Sequence, residues 1–312
     1  MENSIKVVSI VGPTASGKTN LSVELAKHFN GEIVSADSMQ IYRGMQIATA
    51  KPTKAEMDGV PHHMMGFLPP DKTYSVASYV NDASKCIADI HSRGMLPFIV
   101  GGTGLYVDSL LNNISFSDDK RDEEYCSKLR KIGEEDGTDR LLDMLSEFDP
   151  ESAQRLRGGR NIKRIIRAIE FYKTTGKTIT EQIKESHNIP SPYSAVKLGL
   201  NCRDRQVLYD RINRRVDIML DEGLLEEAQR VINSELSYTS VKAIGYKELI
   251  PYFKENKNLN DCVEKLKMET RRYAKRQITW FKRDTEINWI YIDEYNSFEE
   301  IYSQAKAIIE RG

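Results

Sequence analysis

Eight residues near the N-terminus have the types and spacing of a phosphate cradle. Gly12, Pro13, Thr14, Ala15, Ser16, Gly17, Lys18 and Thr19 follow the pattern G-x-x-x-x-G-K-[ST], directly after an apolar run and directly before a helical one. Glycines let the backbone curl so that successive N–H groups point at phosphate oxygens, and a helix N-terminus adds positive potential. Lys18 supplies a point charge, and the Thr19 hydroxyl is placed to ligate Mg²⁺. The expected ligand is a phosphate or a diphosphate, with Thr19 as the metal-binding residue. The apolar run at Pro97 leads into glycines and Thr103, not into the carboxylate that nucleotide-hydrolysing enzymes commonly place there.

A second stretch, Ala36-Asp37-Ser38-Met39-Gln40, brings a carboxylate to the end of another buried run. Beside a site for anions it must have separate work. Asp37 is either a helix cap or a general base that takes a proton from an exocyclic amine or hydroxyl as that atom attacks. Ser38 and Gln40 could then touch the edge of a base. In Gly101-Gly102-Thr103-Gly104 the hydroxyl of Thr103 sits on a glycine turn. It is either part of a loop that needs positive φ or a donor to a departing oxygen.

Asp204 to Gly223 reads as one long helix, capped by Asp204 and stopped by Gly223. Leu208, Ile212, Val216 and Met219 make its apolar face, and at about 100° per residue Arg215 falls about 20° from Leu208. An arginine at the margin of a core-facing stripe meets either a buried carboxylate or an anionic ligand. Arg214 points to solvent. His62 and His63 follow Pro61 and read as structural, not metal-binding. Arg271 to Arg283 interleaves basic and aromatic residues, so one helix could pair phosphates and pack at once.

The elements that position these residues alternate as strand, loop and helix. Lys6–Val11, Glu32–Ala36, Leu96–Val100, Val196–Asn201 and Trp289–Ile292 read as strands, and Lys18–Phe29 and Tyr74–Arg93 as helices. That alternation predicts an α/β fold: a P-loop core with a mostly parallel sheet flanked by helices, and ligands at the carboxyl ends of the strands. Between 117 and 192 only polar helices are expected, at 123–134, 138–147, 151–156 and 161–174. We therefore expect a core at 1–116, an all-helical insertion at 117–192, and the rest of the core at 193–312.

Composition narrows the function classes. The chain has 312 residues, 40% hydrophobic and 29% charged, with a net charge of −1, as in an ordinary globular protein. A near-neutral chain does not coat nucleic acid indiscriminately, but its charge is unevenly placed. Val241–Arg283 carries twelve basic against five acidic residues, and Glu151–Arg167 six against one; Asp118–Glu124 has five acidic against two basic. Localised basic segments suit a polyanion. No apolar run approaches the roughly 18–20 residues of a membrane span, no leader is visible after Met1, and the four cysteines are widely spaced. A cytoplasmic protein with reduced thiols and no membrane partner is expected.

The motifs GPTASGKT, ADSMQIYRGM, TAKP, GGTGLY, RAIEFYKTTGKT, RVDIMLDEGLLEEA, AIGYKEL and AKRQITWFKR run in this order from Gly12 to Arg283. Together they resemble the tRNA dimethylallyltransferases over nearly the whole chain. The resemblance implies that Gly12 to Thr19 hold the diphosphate of dimethylallyl diphosphate, with Mg²⁺. It implies transfer of the dimethylallyl group to N6 of the adenosine immediately 3′ of the anticodon, releasing diphosphate. Asp37 would be the base, with Thr103 and Arg215 stabilising the departing diphosphate. Contacts to tRNA would come from Asp37, Ser38, Met39 and Gln40, and from Lys163, Arg164, Ile165, Ile166 and Arg167 in an insertion that clamps the anticodon stem-loop. A monomer is expected. Cys126 stands near where many relatives carry arginine. The alternatives are a prenyltransferase acting on free AMP or ATP, and a P-loop metabolite kinase.

Overall fold

Continuous apolar runs bounded by glycine make strands that are buried on both faces. In the computed structural model, which describes residues 4–114, 122–159, 161–188, 190–234, 240 and 243–312, such runs form a six-stranded parallel sheet. The chain runs β1 (Ile5–Val11), α1 (Lys18–His28), β2 (Gly31–Ser35), α2 (Lys54–Met57), β3 (His62–His63), α3 (Val76–Ser92), β4 (Leu96–Gly101) and α4 (Gly104–Leu111). Five helices follow: α5 (Glu123–Glu135), α6 (Thr138–Ser146), α7 (Pro150–Arg157), α8 (Ile162–Thr175) and α9 (Ile179–Asn188). The sheet resumes with β5 (Tyr193–Asn201), then α10 (Arg205–Asp221), α11 (Leu224–Ile232), α12 (Ile250–Glu255), α13 (Leu259–Phe281), β6 (Asn288–Tyr291) and α14 (Phe298–Arg311).

The strand order is β3-β2-β4-β1-β5-β6, every pairing parallel. Alternation along each strand sends Val7, Val11, Val34 and Ile99 to one face, against α3 and α4. Val8, Ile10, Ile33, Phe98 and Val100 go to the other, against α1 and α14. The parallel arrangement gathers the segments after β1, β2 and β4 at one edge of the sheet, where α/β folds bind ligands.

The chain divides into two compact units, one of residues Met1–Leu111 with Pro192–Gly312 and one of Asn112–Ser191. The regular elements of the second, among its described residues, are all helices, and α9 lies where no helix was expected. Its core gathers Cys126, Leu129, Leu141, Leu142, Leu145, Ile165, Ile166 and Ile169. Of the charged segments read from the sequence, Asp118 to Arg121, Arg160, Val241 and Lys242 lie outside the described residues. No helix among the described residues is long and apolar enough to cross a membrane.

Candidate active site

The loop between β1 and α1 is shaped by close contacts. Gly12 has φ +143°, and a Cβ there would collide with the carbonyl of Leu200 on β5. Ala15 (φ 62°) and Gly17 (φ 90°) turn the chain left-handed, so that it wraps the start of α1. Lys18 folds over this loop, its Nζ donating to Gly12 O (2.9 Å) and Pro13 O (2.6 Å). Burial lowers its pKa to about 7, against the pull of Asp37, while Arg215 lowers it further. Thr19 lines the same cavity.

Asp37 leaves β2 half-buried and faces that cavity. Its Oδ1 accepts from Met39 N (2.9 Å) and Gln40 N (3.3 Å). These are the bonds of a cap, but a turn follows in place of a helix. Among the described residues Oδ2 accepts no hydrogen bond, so one oxygen orients the carboxylate and the other is available. Burial raises the carboxyl pKa; the two N–H donors, Lys18 and Arg215 oppose the rise.

Thr103 sits half-buried on its glycine turn after β4, next to Gly101 and Gly102, which line the cavity. Its hydroxyl accepts from Ser38 N (3.0 Å) and donates to Ser38 Oγ (3.3 Å), which ties the β4 loop to the Asp37 turn. Gln40 lines the cavity, but its amide has partners within the protein: Ser35 Oγ donates to its Oε1 (3.2 Å), and its Nε2 donates to Thr49 O (3.3 Å) and Ala50 O (3.1 Å). That leaves its amide little capacity for a base edge. Ser38 and Met39 line the cavity beside it.

The α10 helix sorts its arginines as the helical wheel predicts. Arg215 lines the cavity, half-buried, while Arg214 is exposed. Burial lowers the Arg215 pKa, opposed by Glu56, Glu222 and Asp37. One turn earlier, Arg211 Nε donates to Ala15 O (2.8 Å) and braces the loop between β1 and α1. Asp204 caps this helix, accepting from Gln206 N (2.7 Å). Of the histidines, His63 Nε2 lies 2.6 Å from the Glu32 carboxylate, whereas His62 lines the cavity.

The cavity measures about 640 Å³. One wall is apolar, with Val216, Met219, Leu224, Ala243, Ile244 and Leu266. Another is helix α13, which supplies Thr270, Tyr273, Arg276 and Gln277. Gln277 is buried; its Oε1 accepts from Thr14 N (2.9 Å) and its Nε2 donates to Gly102 O (2.9 Å). A Cβ on Gly102 would strike that amide. Sequence reasoning missed Tyr273 and Gln277. The spacing of Leu266, Thr270, Tyr273 and Gln277 marks one helical face, and a wheel would have separated it from the basic one.

In the helical unit, Ile165 and Ile166 are buried, 0% and 2% exposed. They pack the core and cannot touch RNA, which corrects their assignment. Arg167 pairs with the buried Glu170 and lies over Phe171. Lys163 and Arg164 are the exposed basic pair of this segment, on the face opposite the isoleucines. Cys126 is fully buried, so its side chain presents nothing to the surface.

The chain matches the family model IPP transferase over residues 40–284 and the model Isopentenyl transferase over residues 5–65. It is 48% identical to the tRNA dimethylallyltransferase of Caldanaerobacter subterraneus subsp. tengcongensis over 303 residues, covering 96% of this chain and 95% of the relative. Identity to the tRNA dimethylallyltransferase of Bacillus cereus is 45%, covering 98% and 96%. The crystal structure of a full-length tRNA isopentenylpyrophosphate transferase from Bacillus halodurans is similar with a TM-score of 0.71 at 44% identity, covering 98% of this chain and 97% of that one. A eukaryotic dimethylallyltransferase acting on tRNA gives a TM-score of 0.81 at 29% identity, covering 99% and 80%. Matched over nearly its full length, the chain belongs to the IPP transferase family, that of the tRNA dimethylallyltransferases.

Proposed function

We propose that this protein transfers the dimethylallyl group of dimethylallyl diphosphate to N6 of the adenosine immediately 3′ of the anticodon in tRNA, and releases diphosphate. One observation carries the proposal. A single cavity joins an anion cradle (the Gly12–Thr19 loop with Lys18 and Arg215) to an oriented carboxylate, Asp37, and to an apolar wall. A kinase does not call for the apolar wall. A free-nucleotide prenyltransferase does not call for the basic helical unit.

The chemistry follows from these groups. The N6 lone pair attacks the allylic carbon, the carbon–oxygen bond breaks, and its electron pair leaves with the diphosphate. Asp37 Oδ2 takes the N6 proton, its raised pKa matching the task better than a solvated carboxylate would. Negative charge grows on the diphosphate, where Lys18, Arg215 and the loop N–H groups are preorganised to meet it. An anion in the loop also restores the proton that burial tends to remove from Lys18. Thr103 and Gln277 act at one remove, holding the loops that carry these groups. The apolar wall excludes water that would otherwise capture the allylic carbon.

Mg²⁺ fits the donor set. The Thr19 hydroxyl lines the cavity beside Lys18 and makes no hydrogen bond among the described residues. Among those residues no cluster of three or more His, Cys, Asp or Glu side chains forms a cage, so substrate oxygens and water must complete the shell, as Mg²⁺ tolerates. When bound, the ion supplies charge neutralisation at the leaving diphosphate. On the helical unit, Lys163 and Arg164 would meet backbone phosphates. We place the protein in the cytoplasm as a monomer. The test is incubation with Mg²⁺ and labelled dimethylallyl diphosphate, offering unmodified tRNA, AMP or ATP. Label in tRNA is expected; label in AMP or ATP alone overturns the proposal.

A further inference from the structure

A second carboxylate lies outside the cavity and holds a segment that lines it. Glu227 on α11 is 3% exposed. Its Oε2 accepts from Gln46 N (2.8 Å) and Ile47 N (2.9 Å), and its Oε1 from Ala48 N (2.9 Å) and the Tyr246 hydroxyl (2.9 Å). Three consecutive backbone donors with no sheet or helix partner would be costly to bury alone. A carboxylate meets all of them with charge-assisted bonds.

The clamped segment is also bound to the catalytic turn. Ala48, Thr49 and Ala50 line the cavity. The carbonyls of Thr49 and Ala50 accept from Gln40 Nε2, Gln40 Oε1 accepts from Ser35 Oγ, and Gln40 N donates to Asp37 Oδ1. A continuous path of hydrogen bonds therefore runs from Glu227 through residues 46–50 and Gln40 to Asp37. The rest of the loop is braced the same way: Thr49 Oγ1 donates to Met45 O (2.6 Å), Gln46 Nε2 to Lys51 O (2.9 Å) and Lys51 Nζ to Tyr42 O (2.6 Å). Gly245, next to Tyr246, packs so closely that a Cβ would come 2.7 Å from Ala48 Cβ.

We infer that Glu227 is a positioning residue for Asp37, holding the 46–50 loop so that Gln40 orients the carboxylate toward the acceptor amine. The inference rests on the reading of Asp37 as the proton acceptor. Glu227→Gln keeps the size of the side chain but puts an NH₂ against backbone donors, so the loop loosens without a cavity. Gln40→Met cuts the same path at its other end.

The experiment measures single-turnover transfer to tRNA, pyrophosphate affinity and Tm for the wild type, Glu227→Gln, Gln40→Met, their double variant, and Asp37→Asn. Each of the two single positioning variants should slow transfer, by up to roughly 10²-fold for a misplacement near 1 Å, with pyrophosphate affinity unchanged. The double variant should be no slower than the slower single one, because both cut one path. Multiplied losses in the double variant, or a Glu227→Gln protein that loses Tm but transfers at the wild-type rate, overturn the inference. If Glu227→Gln does not fold, Gln40→Met decides: slowed transfer supports the path and a wild-type rate overturns it. Asp37→Asn separates the two readings. A wild-type rate there removes the base and the inference with it, whereas a slow Asp37→Asn beside a normal Glu227→Gln sinks Glu227 alone.

Discussion

On the proposed function, Lys18 should make anion binding depend on pH, for a reason that lies in its surroundings. Its ammonium is packed against the Gly12 and Pro13 carbonyls, and burial brings its pKa to about 7 from an ordinary 10.5. A diphosphate binds the protonated form. At pH 6 about ten in eleven molecules carry that proton, and at pH 8 about one in eleven, so intrinsic affinity should fall about tenfold over this range, or about 1.4 kcal/mol. Pyrophosphate titrates as well. The quantity to measure is therefore the difference between wild type and Lys18→Met, by calorimetry at fixed Mg²⁺ from pH 6 to pH 8. The wild-type curve should steepen above pH 7 relative to the variant. The effect on folding has the opposite sign. The folded pKa lies below the unfolded one, so the unfolded chain holds more protons between pH 7 and 10.5, and the unliganded protein gains stability as pH rises through that window. Parallel binding curves for wild type and Lys18→Met would refute the reasoning.

Three further outcomes are expected. Asp37→Asn should slow single-turnover transfer by about 10²–10⁴-fold, the usual cost of losing a general base, while pyrophosphate binding persists in a filter or calorimetric assay. Arg215→Gln should raise the barrier by roughly 2.7–4 kcal/mol, as for other preorganised donors, and Arg214→Gln should leave kcat near wild type because its side chain is solvated; equal kcat losses would reject the assignment. Lys163→Ala with Arg164→Ala should flatten the slope of log affinity for tRNA against log salt by about 0.7–0.9 per lost phosphate contact. Arg167→Ala should instead lower Tm, because it leaves the buried carboxylate of Glu170 without its paired cation, with the Asp122 N–H still donating to it.

Much of this protein is legible in its sequence. Strands buried on both faces read as near-continuous apolar runs, so Val7–Val11, broken only by Ser9, and Leu96–Val100 pointed to a parallel sheet. A phosphate loop needs its glycines in fixed places, because backbone N–H groups do the binding, so Gly12 to Thr19 were readable as a unit. Arg215 and Arg214 were separable because one helix carries its own angular ruler. The same ruler would have shown Ile162, Ile165, Ile166 and Ile169 to be one buried stripe, and the assignment of Ile165 and Ile166 to RNA ignored it.

What only the tertiary structure decided lies in contacts between distant parts of the chain. Gln277 meets Thr14 across 263 positions, Glu227 meets Gln46 across 181, and Thr103 meets Ser38 across 65. No periodicity marks such pairs, because hydrogen-bond partners are chosen by packing and not by spacing along an element. Gln40 read as a reader of bases because glutamine can be one; its amide is spent on Ser35, Thr49 and Ala50. Local pattern set which residues could do the chemistry. The folded backbone chose which of them face the cavity and which hold the others in place, since a polar group buried in a closed core must take whatever partner is within reach.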